Sequence, residues 1–410
     1  MTLRNWAGNH AYRAAEIATP ESTAALCAML AGSPIKVIGT RHTFSDIGDG
    51  VRLVSLAGLR ERFVVAADRR TVSIDGAMTY GRLCRLLEPE QLALANLASL
   101  PHISVAGAVA TATHGSGVGN ANLATAVRAL TLATSDGPRR FAVGDPDWHG
   151  VVVAVGALGP VVELELAVEP AYDIAQTVYR GLRWDEVSAD PLRFLGHAYS
   201  VSLFTRFGDT PGTLWVKRRV GHDHDAPPAG REVVAATEPL HPIDGHRPDA
   251  CTEQLGVAGL WAHRLPHFRL GFEPSSGEEI QSEYFVPIDA AARAIDAVRG
   301  VAAEIAPALL VSEIRTVAGD DQWLSPQYEG ATLALHFTWR PDPVAAAAAA
   351  RTVERALEHL RPRPHWGKHF SPELDVRVPD RPRAAWLALR ARLDPTGVYV
   401  NPWLERTLLA

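Results

Sequence analysis

The sequence predicts an α+β protein in two domains, and three observations carry that expectation. The chain has 410 residues, beyond the size at which a single hydrophobic core keeps growing. Its first part alternates short strand signals with helix signals. After Pro170 the texture changes to aromatic-rich strands interleaved with helices. Hydrophobic residues make up 47% and charged residues 21%, the balance of an ordinary soluble globular enzyme.

The elements follow in order. Thr19-Pro20-Glu21 reads as a helix start, with a Thr cap, Pro at the first helical position and an acid in the first turn, running to about Ala31. "IKVIG" is a short buried strand, and "TVSIDG" is another that ends at Asp75-Gly76. "TYGRLCRLLEPE" predicts a helix from Thr79. Residues 91–122 are rich in Gly, Ala, Ser and Thr and nearly free of charge, so the backbone there can approach something closely. "VRALTLATSDGPRRFAV" predicts a hairpin turning at Asp136-Gly137. "SVSLFTRF" and "TLWVKRRV" are strands, and the Pro/His/Asp-rich stretch 221–248 is expected to be a surface loop. "AAARAIDAVRGVAAEI" predicts an amphipathic helix, followed by the strands "ALLVSEIRTV" and "TLALHFTW". The poly-Ala run of "PVAAAAAARTVERALEHL" predicts helix, because Ala is the best helix former. No internal repeat is visible.

Charge and composition exclude several functions. The formal net charge is -6 with no basic block, which argues against nucleic-acid binding. No window approaches the roughly 20 apolar residues that span a bilayer, and the N-terminus lacks the apolar run of a signal peptide. Cys27, Cys84 and Cys251 are far apart and form no CxxC pair, which points to a reducing, cytoplasmic setting without structural zinc. His42, His102, His114, His336 and His365 sit in separate segments without metal-ligand spacing, so no metal is expected.

Five stretches carry candidate chemistry. In "VSEIRTV" Glu313 and Arg315 are two apart, and in "LALHFTW" His336 and Thr338 are two apart, so on strands each pair points to one face. Together they would make a polar floor suited to a polyhydroxylated ligand; a solvent-facing sheet with an ordinary Glu–Arg pair fits the same pattern. Lys368 follows the Trp366-Gly367 step, where it could donate a fixed hydrogen bond, act as a tuned base, or simply snorkel past the ring. The loop "VIGTRHTFSD" after a strand, and "THGSGVG" at 113–119, both offer backbone N–H groups to an anion. Neither matches G-x-G-x-x-G or a P-loop. Two such loops about 70 residues apart suit a long ligand with a central pyrophosphate. For His42 the residues alone allow a structural role, a metal-ligand role or a covalent link to a cofactor, and of these they favour the structural one.

Taken in order, "GTRHTFSDI", "NLASLPHISVAGAVATATHGSG", "GALG", "CTEQ", "SEIRTV", "HFTW", "PHWGK" and "LDPTGVYVN" resemble the alditol oxidases, which are FAD-dependent flavoproteins of the vanillyl-alcohol-oxidase type. The resemblance runs over nearly the whole chain. Sugar-lactone oxidases are the nearest other relatives. It implies a two-domain VAO/PCMH-type fold. Residues 1–170 and 376–410 would bind FAD, and residues 171–375 would form a substrate domain with an antiparallel sheet and helices. His42 would be bonded to the flavin 8α-methyl within the loop Ile38, Gly39, Thr40, Arg41 and Thr43. The family loop often reads His-Ser-Phe-Asn, whereas this chain has His42-Thr43-Phe44-Ser45. With no cysteine in a flavin loop, a single attachment is implied. Ser99, Ser104, Gly107, Thr111, Thr113, His114 and Gly115 would line the cofactor, and Val162 would lie near its adenine end.

The substrate residues implied by the resemblance are Ser99, Glu313, Arg315, Thr338 and Lys368, with His336 beside them. A linear polyol such as xylitol or sorbitol would lose hydride from C1 to flavin N5, giving the aldose, and O2 would be reduced to H2O2. Arg315 and Lys368 would hold the C1 oxygen, and His336 or Lys368 would be the base. Ala98 sits where a small residue influences oxygen access, so an oxidase is implied with a dehydrogenase kept open. A sugar-1,4-lactone oxidase or dehydrogenase is the alternative within the fold. A flavin-free carbohydrate-binding protein and a metalloenzyme are the rivals outside it. A monomer is expected.

Overall fold

The computed structural model describes residues 3–31, 34–222, 226–271 and 279–410. Of the four sheets among the described residues, three organise it. The strands Ile17–Ala18, Leu53–Ser55 and Lys36–Ile38 form a small parallel sheet, with Leu53–Ser55 in the middle and Val37 opposite Val54. A five-stranded antiparallel sheet runs in the order Phe63–Val65, Thr71–Asp75, Val161–Ala167, Val127–Thr134, Gly137–Ala142. The expected hairpin is its outer pair, and Thr134 pairs with Gly137, so Ser135 and Asp136 make the two-residue turn.

The third sheet has nine strands, all antiparallel, and builds the floor of the site. At its centre lie Ser200–Thr205, Leu309–Val317, Thr332–Trp339 and Ile280–Pro287, in that spatial order. Strand alternation sorts its two faces. Ile314, Leu335, Phe337, Trp339 and Tyr284 pack with Ala294, Ile295, Val298, Ala346, Val353 and Leu357 of the helices Ala291–Gly300 and Pro343–Leu357. The other face carries the polar residues. At Pro343–Leu357 the chain turns helical behind Asp342, whose carboxylate accepts from the N–H groups of Val344 and Ala345, with Pro343 at the first position.

Three expectations are corrected. The first helix is Thr23–Met29, capped by the Ser22 hydroxyl, which accepts from Ala25 N at 3.1 Å. Thr19 and Pro20 instead lie outside the helix and pack against Gly58, where a Cβ would stand 2.6 Å from the Pro20 carbonyl oxygen. The helix expected over 290–305 breaks into Ala291–Gly300 and Ala302–Ile305 at Gly300-Val301. The stretch 221–248 is more than a surface loop. Val234–Ala235 pairs with Tyr179 and Arg180, and His241, Pro242, Ile243 and His246 line the central cavity. Residues 223–225 of that stretch lie outside the described residues.

The chain end returns to the beginning. Ile35 N donates to Val398 O at 2.9 Å, and Tyr399 packs with Leu26, Ile35 and Val54. The amide nitrogen of Asn401 reaches the carbonyls of Asp46, Ile47 and Asp49 at 3.1, 3.1 and 2.9 Å. No helix among the described residues is long and apolar enough to cross a membrane.

Candidate active site

Between the polar face of the large sheet and the two glycine-containing loops lies a cavity of about 750 Å³. The first loop leaves the strand Lys36–Ile38 at Gly39, where a Cβ would come within 2.2 Å of Ser104 Oγ. Only a glycine allows this approach to Ser104, the residue ahead of the helix Val105–Ala110. Arg41 then takes a left-handed conformation, with φ of 59°. The turn is pinned by Arg41 O accepting from Trp6 N at 2.8 Å, by Thr43 O accepting from Asn5 Nδ2 at 2.8 Å, and by Phe44 N donating to Gly367 O at 2.8 Å. The last bond places His42 beside the segment that carries Lys368.

His42 is enclosed by aromatic rings. Its centroid lies 4.2 Å from that of Trp6 and 4.8 Å from that of His102, and Nδ1 is 3.2 Å from His102 Nε2. Its Nε2 is buried without a hydrogen-bond partner among the described residues. Burial, and then the neighbouring His102, pull its pKa down to about 3, so the ring is neutral. A neutral imidazole with an unsatisfied buried nitrogen fits a residue that carries a cofactor, and the apposed Gly39, Ser104 and Gly107 leave the backbone open to one.

The floor is a row across three strands. Glu283 and Glu313 both face His336 in register. Glu283 Oε2 lies 2.6 Å from Lys368 Nζ, and Oε1 lies 2.7 Å from an Arg315 nitrogen and 3.3 Å from His114 Nε2. Lys368 Nζ is 2.7 Å from His336 Nδ1, and His336 Nε2 is 3.2 Å from Thr338 Oγ1. Glu313 Oε1 is 2.9 Å from His267 Nε2 and 3.6 Å from Arg315 Nε. Behind it, Lys217 Nζ lies 3.4 Å from His267 Nδ1 and donates to the carbonyls of Leu265 and Pro266.

Burial would raise both carboxyls, but their partners outweigh it: Lys368 and Arg315 hold Glu283, and Arg315 with the His267 hydrogen bond holds Glu313, well below the usual range. Burial, and then Lys368, pull His336 down to about 4. Burial lowers Lys368 against the pull of Glu283.

Ile38, Gly39, Thr40, Arg41, His42, Thr43, Ser99, Ser104, Gly107, Thr111, Thr113 and His114 line this one cavity together with Glu313, Arg315, His336, Thr338 and Lys368. Gly115 and Val162 do not. Gly115 packs against Asn96 and Leu97, where a Cβ would stand 2.4 Å from each oxygen, and Val162 packs with Leu26 and Ile35. Sequence reasoning missed Glu283, His267 and Lys217. Glu283 had a signal, since Gln281 and Glu283 are two apart on a strand as Glu313 and Arg315 are. His267 had none. His114, Glu283 and His365 bring ligand-type atoms within 4.8 Å of one another. Lys368 and Arg315 already engage both oxygens of that carboxylate, so the cluster reads as a polar network.

A model of FAD-binding domains matches residues 14–140, and a model of D-arabinono-1,4-lactone oxidases matches residues 278–407. A solvent-stable cholesterol oxidase superposes over 99% of this chain and 97% of its own, with a TM-score of 0.78 at 17% identity. Cholesterol oxidase from B. sterolicum superposes with a TM-score of 0.77 at 13% identity, over 99% and 96%. Fold and cavity thus define an FAD flavoprotein of the vanillyl-alcohol-oxidase type. Within that class the chain is 42% identical to "Alditol oxidase" of Streptomyces sp. over 421 aligned residues, 99% of both chains. It belongs to the alditol oxidase family. L-gulono-1,4-lactone dehydrogenase of Mycobacterium tuberculosis is 28% identical over 98% of both chains, and L-gulonolactone oxidase of Bos taurus is 23% identical over 91% of this chain and 89% of its own.

Proposed function

We propose that the chain oxidises the C1 primary alcohol of a linear polyol such as xylitol or sorbitol to the aldose, with O2 as acceptor and H2O2 as by-product. The observation that carries this reading is that His42 and the Lys368–His336–Thr338–Arg315 floor open into one cavity. Residues 38–43 with Ser104, Gly107, Thr111, Thr113 and His114 would hold FAD, attached through His42. Bound there, FAD supplies the hydride acceptor and passes the electrons to O2. Residues 1–170 and 376–410 form the cofactor domain in this reading, and residues 171–375 form the substrate domain. The protein works as a cytoplasmic monomer.

The chain's own groups divide the remaining work. Arg315 and Lys368 donate to the C1 oxygen and stabilise the negative charge that develops on it. Lys368 and His336 are hydrogen-bonded to each other, so they take the hydroxyl proton as one coupled pair. Glu313, Thr338 and Ser99 orient the other hydroxyls, and a near-attack geometry of this kind supplies up to about 7 to 11 kcal/mol. A sugar-1,4-lactone is the second reading, because the lactone-oxidase model covers the floor strands.

The test is anaerobic reduction of the purified yellow protein by xylitol, sorbitol or a γ-lactone. Reduction by polyols with colour retained on the acid-denatured chain is expected, and His42→Ala should release that colour to a filtrate. Reduction by the lactone alone would replace the polyol reading.

A further inference from the structure

The floor contains one carboxylate to which the reaction above gives no part. Glu283 is on the strand Ile280–Pro287, with a fully enclosed side chain. Its two oxygens are divided between groups from four other segments. Oε2 takes Lys368 Nζ at 2.6 Å, with His336 Nδ1 at 3.8 Å, and Oε1 takes Arg315 at 2.7 Å and His114 Nε2 at 3.3 Å. Each group that handles the C1 oxygen or its proton therefore touches this residue.

Charge balance explains why a carboxylate stands there. Arg315 and Lys368 are two cations in a largely buried floor, and Glu313 is committed to His267 and to the Nε edge of Arg315. Without Glu283 one buried positive charge is uncompensated, and such a charge is expensive. Lysine is a tunable choice, since its ammonium loses a proton readily when buried whereas a guanidinium does not. The chain has only three lysines, Lys36, Lys217 and Lys368, against 37 arginines.

We propose that Glu283 is a positioning residue that fixes the Lys368 ammonium against His336 and Arg315, and so sets the pH at which the Lys368–His336 pair works. This deepens the functional reading and rests on it. The charged and titratable groups around Lys368 are Glu283, Arg315, Glu313, Glu279, His336, His365 and His42. Glu283 is in direct contact with it and is the largest influence holding its proton in place. The shift expected on neutralising it is downward.

The test uses Glu283→Gln in the holoenzyme. Protein labelled with 13C at the lysine ε-carbon gives three signals, assigned by a Lys368→Met variant, and the titration midpoint of Lys368 is read directly without substrate. Its midpoint should fall by about 1 pH unit or more, with Lys36 and Lys217 unmoved. The limb of the flavin-reduction rate that follows this pair should move down with it, and kcat should fall ~100-fold. Glu283→Asp, which keeps the charge, should lower kcat but leave the limb in place. An unmoved Lys368 midpoint in Glu283→Gln overturns the proposal. If that variant does not fold, Glu283→Gln with Lys368→Met should fold and load flavin, because charge balance is restored; failure of the double variant overturns the proposal as well. Absence of reduction by any polyol would sink the functional reading while the lysine titration still judged Glu283.

Discussion

Lys217 shows how much of the site is decided beyond local sequence. Its strand, Thr213–Arg219, was legible, but its side chain reads there as one more polar residue in "WVKRR". The fold buries it, with Nζ against two carbonyls and His267 Nδ1. Because the ammonium donates to Nδ1, His267 keeps its proton on Nε2 and donates to Glu313. The i, i+2 pairs Glu313/Arg315 and His336/Thr338 could be found because one strand sets each of them. Glu283, His267 and Lys217 could not be assigned partners, because those partners depend on register between distant strands and on a loop's path. Burial lowers Lys217 to about 7, against about 10.4 in the unfolded chain. Between those values the unfolded state binds the extra proton, so wild-type stability rises with pH through this window. Lys217→Met removes that dependence. Its stability relative to wild type, from urea midpoints, should therefore be more favourable at pH 6 than at pH 10, and KM for polyol should rise as Glu313 loses its fixed donor. A pH-independent difference would show Lys217 to be charged throughout.

At the scale of elements, several strands and helices were readable from their periodicity and turn chemistry, as with Tyr80–Leu87 behind Thr79 and the hairpin closed at Gly137, whereas Asp173–Arg180, Ile280–Pro287 and Asp380–Leu393 were not singled out. The misses have tertiary causes. Thr19-Pro20 has a good helix-start signature, yet Gly58 packs against its backbone and the helix begins at the Ser22 cap instead. The glycine that matters most is Gly39, where strand turns into loop. There the loop approaches the start of the helix Val105–Ala110 so closely that an added methyl meets Ser104 Oγ at 2.2 Å. Gly39→Ala should push Ser104 toward the cavity, cost about 1 to 3 kcal/mol of stability and lower the flavin content of purified protein. Adding Ser104→Ala should restore part of both. Full flavin content and unchanged thermal unfolding in the single variant would show that the loops have room to separate.

At the scale of the whole molecule, the contacts that close the site depend on the path of a loop and on the return of the chain's end, where sequence patterns are silent. The stretch 221–248 illustrates this: its composition is that of a surface loop, but His241 to His246 fold over the cavity because Gln254 holds Leu240 by both backbone groups. Asn401 does the equivalent work for the C-terminus. Its amide nitrogen serves three carbonyls at Asp46, Ile47 and Asp49, the segment directly after the His42 loop, and its oxygen accepts from Leu404 N at 3.0 Å. Asn401→Ala leaves buried acceptors unpaired and removes a helix cap, so it should cost about 3 kcal/mol. The neighbouring Arg406 also reaches this segment, through Asp46, but its pair is solvent-exposed. Arg406→Ala should cost under about 1 kcal/mol. Denaturant midpoints of the two variants therefore separate two ways of holding the tail. If they are equal, the tail is held by its apolar residues, Tyr399 and Trp403, rather than by the asparagine. If Asn401→Ala is much the weaker and also loads less flavin, the C-terminal segment is part of what keeps the His42 loop in shape.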